Sequence, residues 1–77
     1  MPLKLFTTSY CHLCEEAESL LLSLAQTQHF TRIEIANNDT LTELYGHRIP
    51  VLQRTDNFSE LNWPFTENDI IKLIEDY

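Results

Sequence analysis

Leu3-Lys4-Leu5-Phe6-Thr7-Thr8-Ser9-Tyr10-Cys11-His12-Leu13-Cys14 is the stretch that decides how this chain is read. Leu3, Leu5 and Phe6 leave little polar face, so Leu3 to Thr7 reads as a buried strand. Thr8, Ser9 and Tyr10 make a connection. From His12 a helical pattern runs to about Gln26. Its Leu13, Ala17, Leu20, Leu21 and Leu24 fall on one stripe that a helix would bury. Glu15, Glu16 and Glu18 crowd the first turns, where the helix dipole favours acids. Cys11 and Cys14 thus stand one turn apart at a strand-to-helix junction, close enough for their sulfurs to meet. They are the only two cysteines in the chain, so no structural disulfide framework competes for them.

The rest of the chain continues in alternation. Ile33 and Ile35 alternate with Arg32 and Glu34, a period-two strand. Asn37, Asn38 and Asp39 break it. Thr40 with Glu43 predicts a capping box for a short helix that turns Leu41, Leu44 and Tyr45 inward and stops at Gly46. Ile49 to Gln53 reads as a third strand. Asp56-Asn57 predicts a hairpin turn into Phe58-Ser59-Glu60-Leu61. Thr66 with Asp69 caps a last helix striped by Ile70, Leu73, Ile74 and Tyr77. Strand-helix-strand implies a right-handed crossover and parallel pairing, and the closing hairpin adds an antiparallel edge. The expected fold is α/β: a mixed four-stranded sheet in the order βαβ-α-ββα, with helices packed on it.

Size and charge narrow the possibilities. The 77 residues suffice for one small domain spanning 1–77. Apolar content of 43% argues for a folded core and against disorder. A single glycine excludes a phosphate-cradling glycine loop. The net charge of −7 argues against nucleic acid and against an anionic membrane surface. No signal-peptide pattern or membrane-length apolar run is present, so the cytoplasm is the expected location. There a lone close-spaced cysteine pair is more often catalytic or metal-binding than structural. Zinc needs four ligands. Beyond the cysteines the chain offers His12, His29 and His47 with no second close pair, so no metal is expected.

The chemistry follows from position. A thiolate, not a thiol, attacks a disulfide. Cys11 at a helix N-terminus faces unsatisfied N–H groups that favour an anion, and a protonated His12 adds positive charge. The early glutamates push the other way. Cys14, a turn deeper, suits the resolving thiol. Ile49-Pro50-Val51 is the second feature. Read alone, Pro50 is an ordinary trans proline opening an edge strand. Beside a dithiol and in this element order, a cis bond is the preferred reading. It would leave backbone groups before Pro50 free to pair with an extended substrate. Tyr10 either covers the helix start or lines the substrate groove.

With these residues in view, the chain resembles the thioredoxin-like superfamily, and most closely the small glutaredoxin-like proteins of bacteria. The resemblance rests on Cys11-His12-Leu13-Cys14, the acidic helix start, Ile49-Pro50-Val51 before the hairpin, and Trp63-Pro64-Phe65 before the short last helix. It implies a thioredoxin/glutaredoxin-like fold, Cys11 as nucleophile, Cys14 as resolving cysteine, and Pro50 as the cis-proline beside them. Tyr10, His12, Ile49 and Pro50 become the candidate substrate-contacting residues. Trp63 and Phe65 are expected to pin the last helix to the sheet.

Departures from glutaredoxins concern glutathione. His12-Leu13 replaces their usual Pro-Tyr, no basic residue precedes the motif, and no Gly-Gly turn precedes the last helix. Arg48 and Arg54 are the remaining candidates for glutathione's carboxylates, although solvated surface charges are the simpler reading of both. The sequence therefore supports a thiol-disulfide oxidoreductase with no bound cofactor. Its expected partner is a disulfide-containing protein or small thiol, with glutathione as an alternative co-substrate, and a monomer is expected. Two other readings stand beside it. One is a non-catalytic protein-binding module on the same scaffold. The other is a dithiol holding a metal or iron–sulfur cluster.

Overall fold

The apolar run at the front of the chain forms β1, Leu3–Thr7, the inner strand on which the molecule is built. The computed structural model describes residues 3–24 and 29–75. The elements continue as α1 (His12–Ser23), β2 (Thr31–Glu34), α2 (Asp39–Tyr45), β3 (Val51–Arg54), β4 (Glu60–Asn62) and α3 (Glu67–Glu75). The sheet order is β2-β1-β3-β4. β2 lies parallel to β1, as the strand-helix-strand crossover predicts, while β3 and β4 run antiparallel to their neighbours. Among the described residues no helix is long and apolar enough to cross a membrane.

The register explains why β1 and β3 carry adjacent apolar residues instead of a clean alternation. Leu5 pairs with Leu52 and Phe6 with Val51. Successive side chains point to opposite faces of a strand. Leu3, Leu5 and Leu52 join one core with Ala17 and Leu21 of α1 and with Ile70, Leu73 and Ile74 of α3. Phe6 and Val51 join the other, with Ile35 and Tyr45 of α2. Phe6 stacks on the Tyr45 ring at 4.2 Å. The sheet is covered on both faces, and both inner strands must be apolar on both.

Several local expectations shift. The predicted end of the first helix near Gln26 lies outside the described residues, as does Tyr77. Within them α1 ends at Ser23, with Leu24 as its C-cap. The cap of α2 is Asn38, whose side chain accepts from the Leu41 N–H at 3.0 Å, and not Thr40. Asn is the stronger cap and stands two residues earlier. Gly46 does end this helix, in ordinary right-handed backbone. Leu44 is exposed and not inward. β3 starts at Val51, after Pro50, which has no N–H to give a ladder. The hairpin turn extends through Phe58, which has a φ of 61°. There the Asn57 side chain accepts from the Ser59 N–H and the Phe58 N–H donates to the Arg54 carbonyl. The last helix is capped as read. Thr66 N–H donates to Asp69 Oδ2 and Asp69 N–H donates to Thr66 Oγ1.

Candidate functional site

Cys11 and Cys14 are joined in a disulfide, with their Cα atoms 5.2 Å apart. Cys11 is the N-cap of α1, in extended backbone, and its sulfur accepts from the Cys14 N–H at 3.2 Å. The two sulfurs differ in access. Cys14 is buried at 2% exposure, whereas Cys11 is half-buried. An incoming group therefore meets Cys11, and Cys14 is held behind it.

Two connections at one end of the sheet frame this pair. The first is Thr8–Tyr10, which leads from β1 into Cys11. The second is the segment before β3. Because Phe6 pairs with Val51, the chain just before Val51 runs alongside the end of β1 and its following loop. The Ile49–Pro50 bond is cis, as preferred from the sequence, and so is Trp63–Pro64, where no cis bond was expected. Pro50 is fully buried and Ile49 half-buried. Ile49's backbone is only partly available: its N–H donates to the Tyr45 carbonyl at 3.1 Å. Its carbonyl takes no hydrogen bond from the described residues.

The loop before Cys11 is tied to β2 by Glu34. Its Oε1 accepts from the Ser9 N–H and Oγ, and its Oε2 accepts from the Ala36 N–H at 3.1 Å. Hydrogen bonds from Thr8, Ala36 and Ser9 hold the Glu34 carboxyl below its ordinary value. At the tip of this loop Tyr10 has a φ of 61° and stands entirely in solvent. It does not cover the helix start, and it lines a groove beside Cys11.

One groove is lined by Cys11 and a second by Leu13, two residues on. One, of about 360 Å³, runs along Thr7–Tyr10, Cys11 and Cys14 to Glu15, Glu18, Arg32 and Glu34. The other, of about 420 Å³, is lined by Leu13, His47, Arg48, Ile49, Asn62 and Trp63. Their placement follows the strand order, since β2 lies on one side of β1 and the β3–β4 hairpin on the other. His12 is exposed above the helix start, its ring within 4.0 Å of the Glu15 and Glu16 carboxylates.

Other expectations change here. Leu13 was expected in the core stripe but is 45% exposed and lines the second groove. Cys14 takes its place on the buried face with Ala17 and Leu21, and only Leu20 and Leu24 pack at the margin. Arg54 is not a surface cation. At 1% exposure it donates to the Leu73 and Ile74 carbonyls at the end of α3, and its other arm pairs with Asp56. Arg48 remains at the surface, engaged with Glu60 at 2.7 Å and with Asn62. Phe65 is buried as expected. Trp63 meets it edge to face at 5.0 Å while also lining the second groove. Among the described residues no three His, Cys, Asp or Glu side chains gather as metal ligands.

Comparison with known proteins agrees with this geometry. The family model for the glutaredoxin-like domain (DUF836) matches residues 2–75. The X-ray structure of protein XcR50 from X. campestris superposes with a TM-score of 0.85 at 31% identity, covering 97% of each chain. The solution structure of the same protein gives 0.84 at 31% identity, over 100% of this chain and 96% of that one. The solution structure of protein Ne2328 from Nitrosomonas europaea gives 0.75 at 35% identity, over 91% and 85%. No curated protein matches.

Proposed function

The chain belongs to the glutaredoxin-like domain (DUF836) family, and from that premise we propose that it is a dithiol–disulfide oxidoreductase acting through Cys11 and Cys14. The observation that carries this is the unequal access of two bonded sulfurs at the start of one helix. In the reduced protein the Cys11 thiolate attacks one sulfur of a substrate disulfide. A mixed disulfide forms, and the other substrate sulfur leaves as a thiolate that takes up a proton. Cys14 then loses its proton and attacks Cys11, the second substrate thiolate leaves, and the Cys11–Cys14 bond forms. Two electrons pass from protein to substrate, and an external dithiol restores the protein.

The helix start serves this cycle. The Cys14 N–H that donates to the Cys11 sulfur at 3.2 Å is one of the first-turn N–H groups, without a carbonyl partner in the helix, that stabilise negative charge at a helix N-terminus. The cis-Pro50 segment offers the Ile49 carbonyl, but not its N–H, to a substrate backbone. The partner is a disulfide-bearing protein or small disulfide. Glutathione is not required: with Arg54 buried and Arg48 engaged by Glu60, neither of the two candidate arginines is held ready for its carboxylates. A reducing cytoplasm suits the reaction.

A redox titration in dithiothreitol buffers, read by mass labelling of the two thiols, tests the assignment. A reversible two-electron transition between roughly −270 and −120 mV is expected, the range of known dithiol enzymes. A disulfide that never re-forms, or one far more stable than that range, would overturn it in favour of a scaffold role.

A further inference from the structure

We infer that the site selects polypeptide disulfides whose cysteine is flanked by a basic residue, and disfavours acidic ones. This rests on the oxidoreductase reading and adds to it the class of substrate.

The groove on the β2 side of Cys11 is acidic. Glu15, Glu18 and Glu34 line it, against a single cation, Arg32. That cation is already committed. Its Nε lies 2.5 Å from Glu18, and its guanidinium covers the Phe30 ring at 4.9 Å. Glu34 spends hydrogen bonds on Ser9 and Ala36 yet keeps its negative charge. Glu15 is exposed, and among the described residues only the ring of His12 approaches its carboxylate. On the hairpin side Arg48 is held by Glu60 and Asn62, leaving His47 as the other ionisable group in that groove. An approaching anion therefore meets carboxylates with no uncommitted arginine beside the disulfide, within a chain of net charge −7. Such a field steers cations inward and repels anions.

The apolar surroundings point to a polypeptide and not a small disulfide. Tyr10 is fully exposed at one lip, and Leu13, with Ile49 and Trp63, forms the other. The grooves lie on opposite sides of the end of β1, the first lined by Cys11 and the second by Leu13 of the same motif. Only a chain running both ways from its cysteine reaches both. Its basic side chain would enter the carboxylate groove, and an apolar one would lie on Leu13.

The test uses pre-reduced protein in single-turnover reactions with two synthetic disulfide peptides, identical except for lysine or glutamate beside the cysteine. Acid quenching and thiol mass labelling give each rate. Division by the peptide's own rate with free dithiothreitol removes intrinsic differences in sulfur reactivity. Bis(2-hydroxyethyl) disulfide is the neutral reference. The lysine peptide should react roughly tenfold faster than the glutamate peptide at low salt. Most of that gap should close near 1 M salt, where the screening length is about 3 Å. The double variant Glu15→Gln/Glu18→Gln should lose most of the preference, slowing the lysine peptide relative to the glutamate peptide. Glu43→Gln/Glu75→Gln, the same charge change outside both grooves, should retain the preference. Should the double variant fail with the neutral disulfide, the exposed Glu15→Gln alone is used. Equal peptide rates, or a preference that falls equally in both double variants, would overturn this inference and leave the oxidoreductase reading standing. Wild-type protein that reacts with none of the three disulfides would overturn the oxidoreductase reading itself.

Discussion

Arg54 is a cation held in the core, and its surroundings say what it does. Buried charges are tolerated only when paired and hydrogen-bonded. Here the guanidinium donates to the last carbonyls of α3, which lack helical partners, and to Asp56. Replacing it by methionine keeps the length but orphans those carbonyls, so Arg54→Met should cost about 1–3 kcal/mol. Urea unfolding measures this, and an unchanged midpoint would show that water or a shifted side chain satisfies α3. The cysteines make a sharper residue-scale prediction. Cys14→Ser removes the resolving thiol and should trap substrate on Cys11 as a stable mixed disulfide, seen as an added mass. Cys11→Ser should give no adduct, because Cys14 is 2% exposed. Adducts on Cys14 instead would reverse the two roles. The cysteine pair and the cis-proline were legible because each is a local signal. Leu13 was misread because the stripe was counted without Cys14. A buried cysteine behaves as a small apolar residue, and counting Cys14 shifts the stripe by one position and frees Leu13 for the groove. Nothing near Arg54 in the chain could show that the carbonyl end of a helix nineteen residues later would settle on it.

At the scale of elements, stability resides in ends as well as faces. The Thr66–Asp69 box satisfies backbone and side chain reciprocally at the start of α3, whose Ile70, Leu73 and Ile74 close the larger core. Thr66→Ala should lower stability by about 1 kcal/mol, and Asn38→Ala should act similarly on α2. Thermal melts of both variants measure these losses. A loss at Asn38 with none at Thr40→Ala would confirm which residue caps α2, and the reverse would restore the sequence expectation. Order and type of all seven elements could be read because caps, turns and periodicities are short-range. What failed was the choice between competing local signals and whatever depended on contact between elements. Leu44 fits the inward stripe of α2, yet the face that meets Phe6 and Val51 is occupied by Tyr45. Phe58 looked like the first residue of β4, yet the Asn57 turn takes it out of the ladder.

For the whole molecule, the carboxylates decide how stability responds to acid. Two effects oppose each other. A chain of net charge −7 loses self-repulsion as acids are protonated, which favours folding. But exposed charges farther apart than about 8 Å are largely screened at physiological salt. Against this stand Glu34, Asp56 and Glu60, all held below their ordinary values. Hydrogen bonds from Thr8, Ala36 and Ser9 do this for Glu34, and those from Arg54 for Asp56. Burial pushes Glu60 up, but Arg48, Tyr45 and Gln53 outweigh it. A carboxylate depressed in the folded state contributes stability above its unfolded value, and that contribution is lost as pH falls through the folded one. These local interactions, being direct, outweigh the screened repulsion. Stability to urea should therefore hold down to about pH 4.5, the ordinary glutamate value, and decline steadily below it. Glu60 is the member to remove, because it alone gathers Tyr45 of α2, Arg48 beyond α2 and Gln53 of β3 onto β4. Glu60→Gln should lower stability at neutral pH and flatten the decline. The alkaline limb supplies a second check on the same network. Burial and the neighbouring Glu60 raise Tyr45 above 10, so its contribution is present below that value and lost as pH rises through the raised one. In Glu60→Gln that alkaline loss should be smaller and complete at lower pH. An acid profile identical to wild type would mean that the exposed, screened charges govern the response after all.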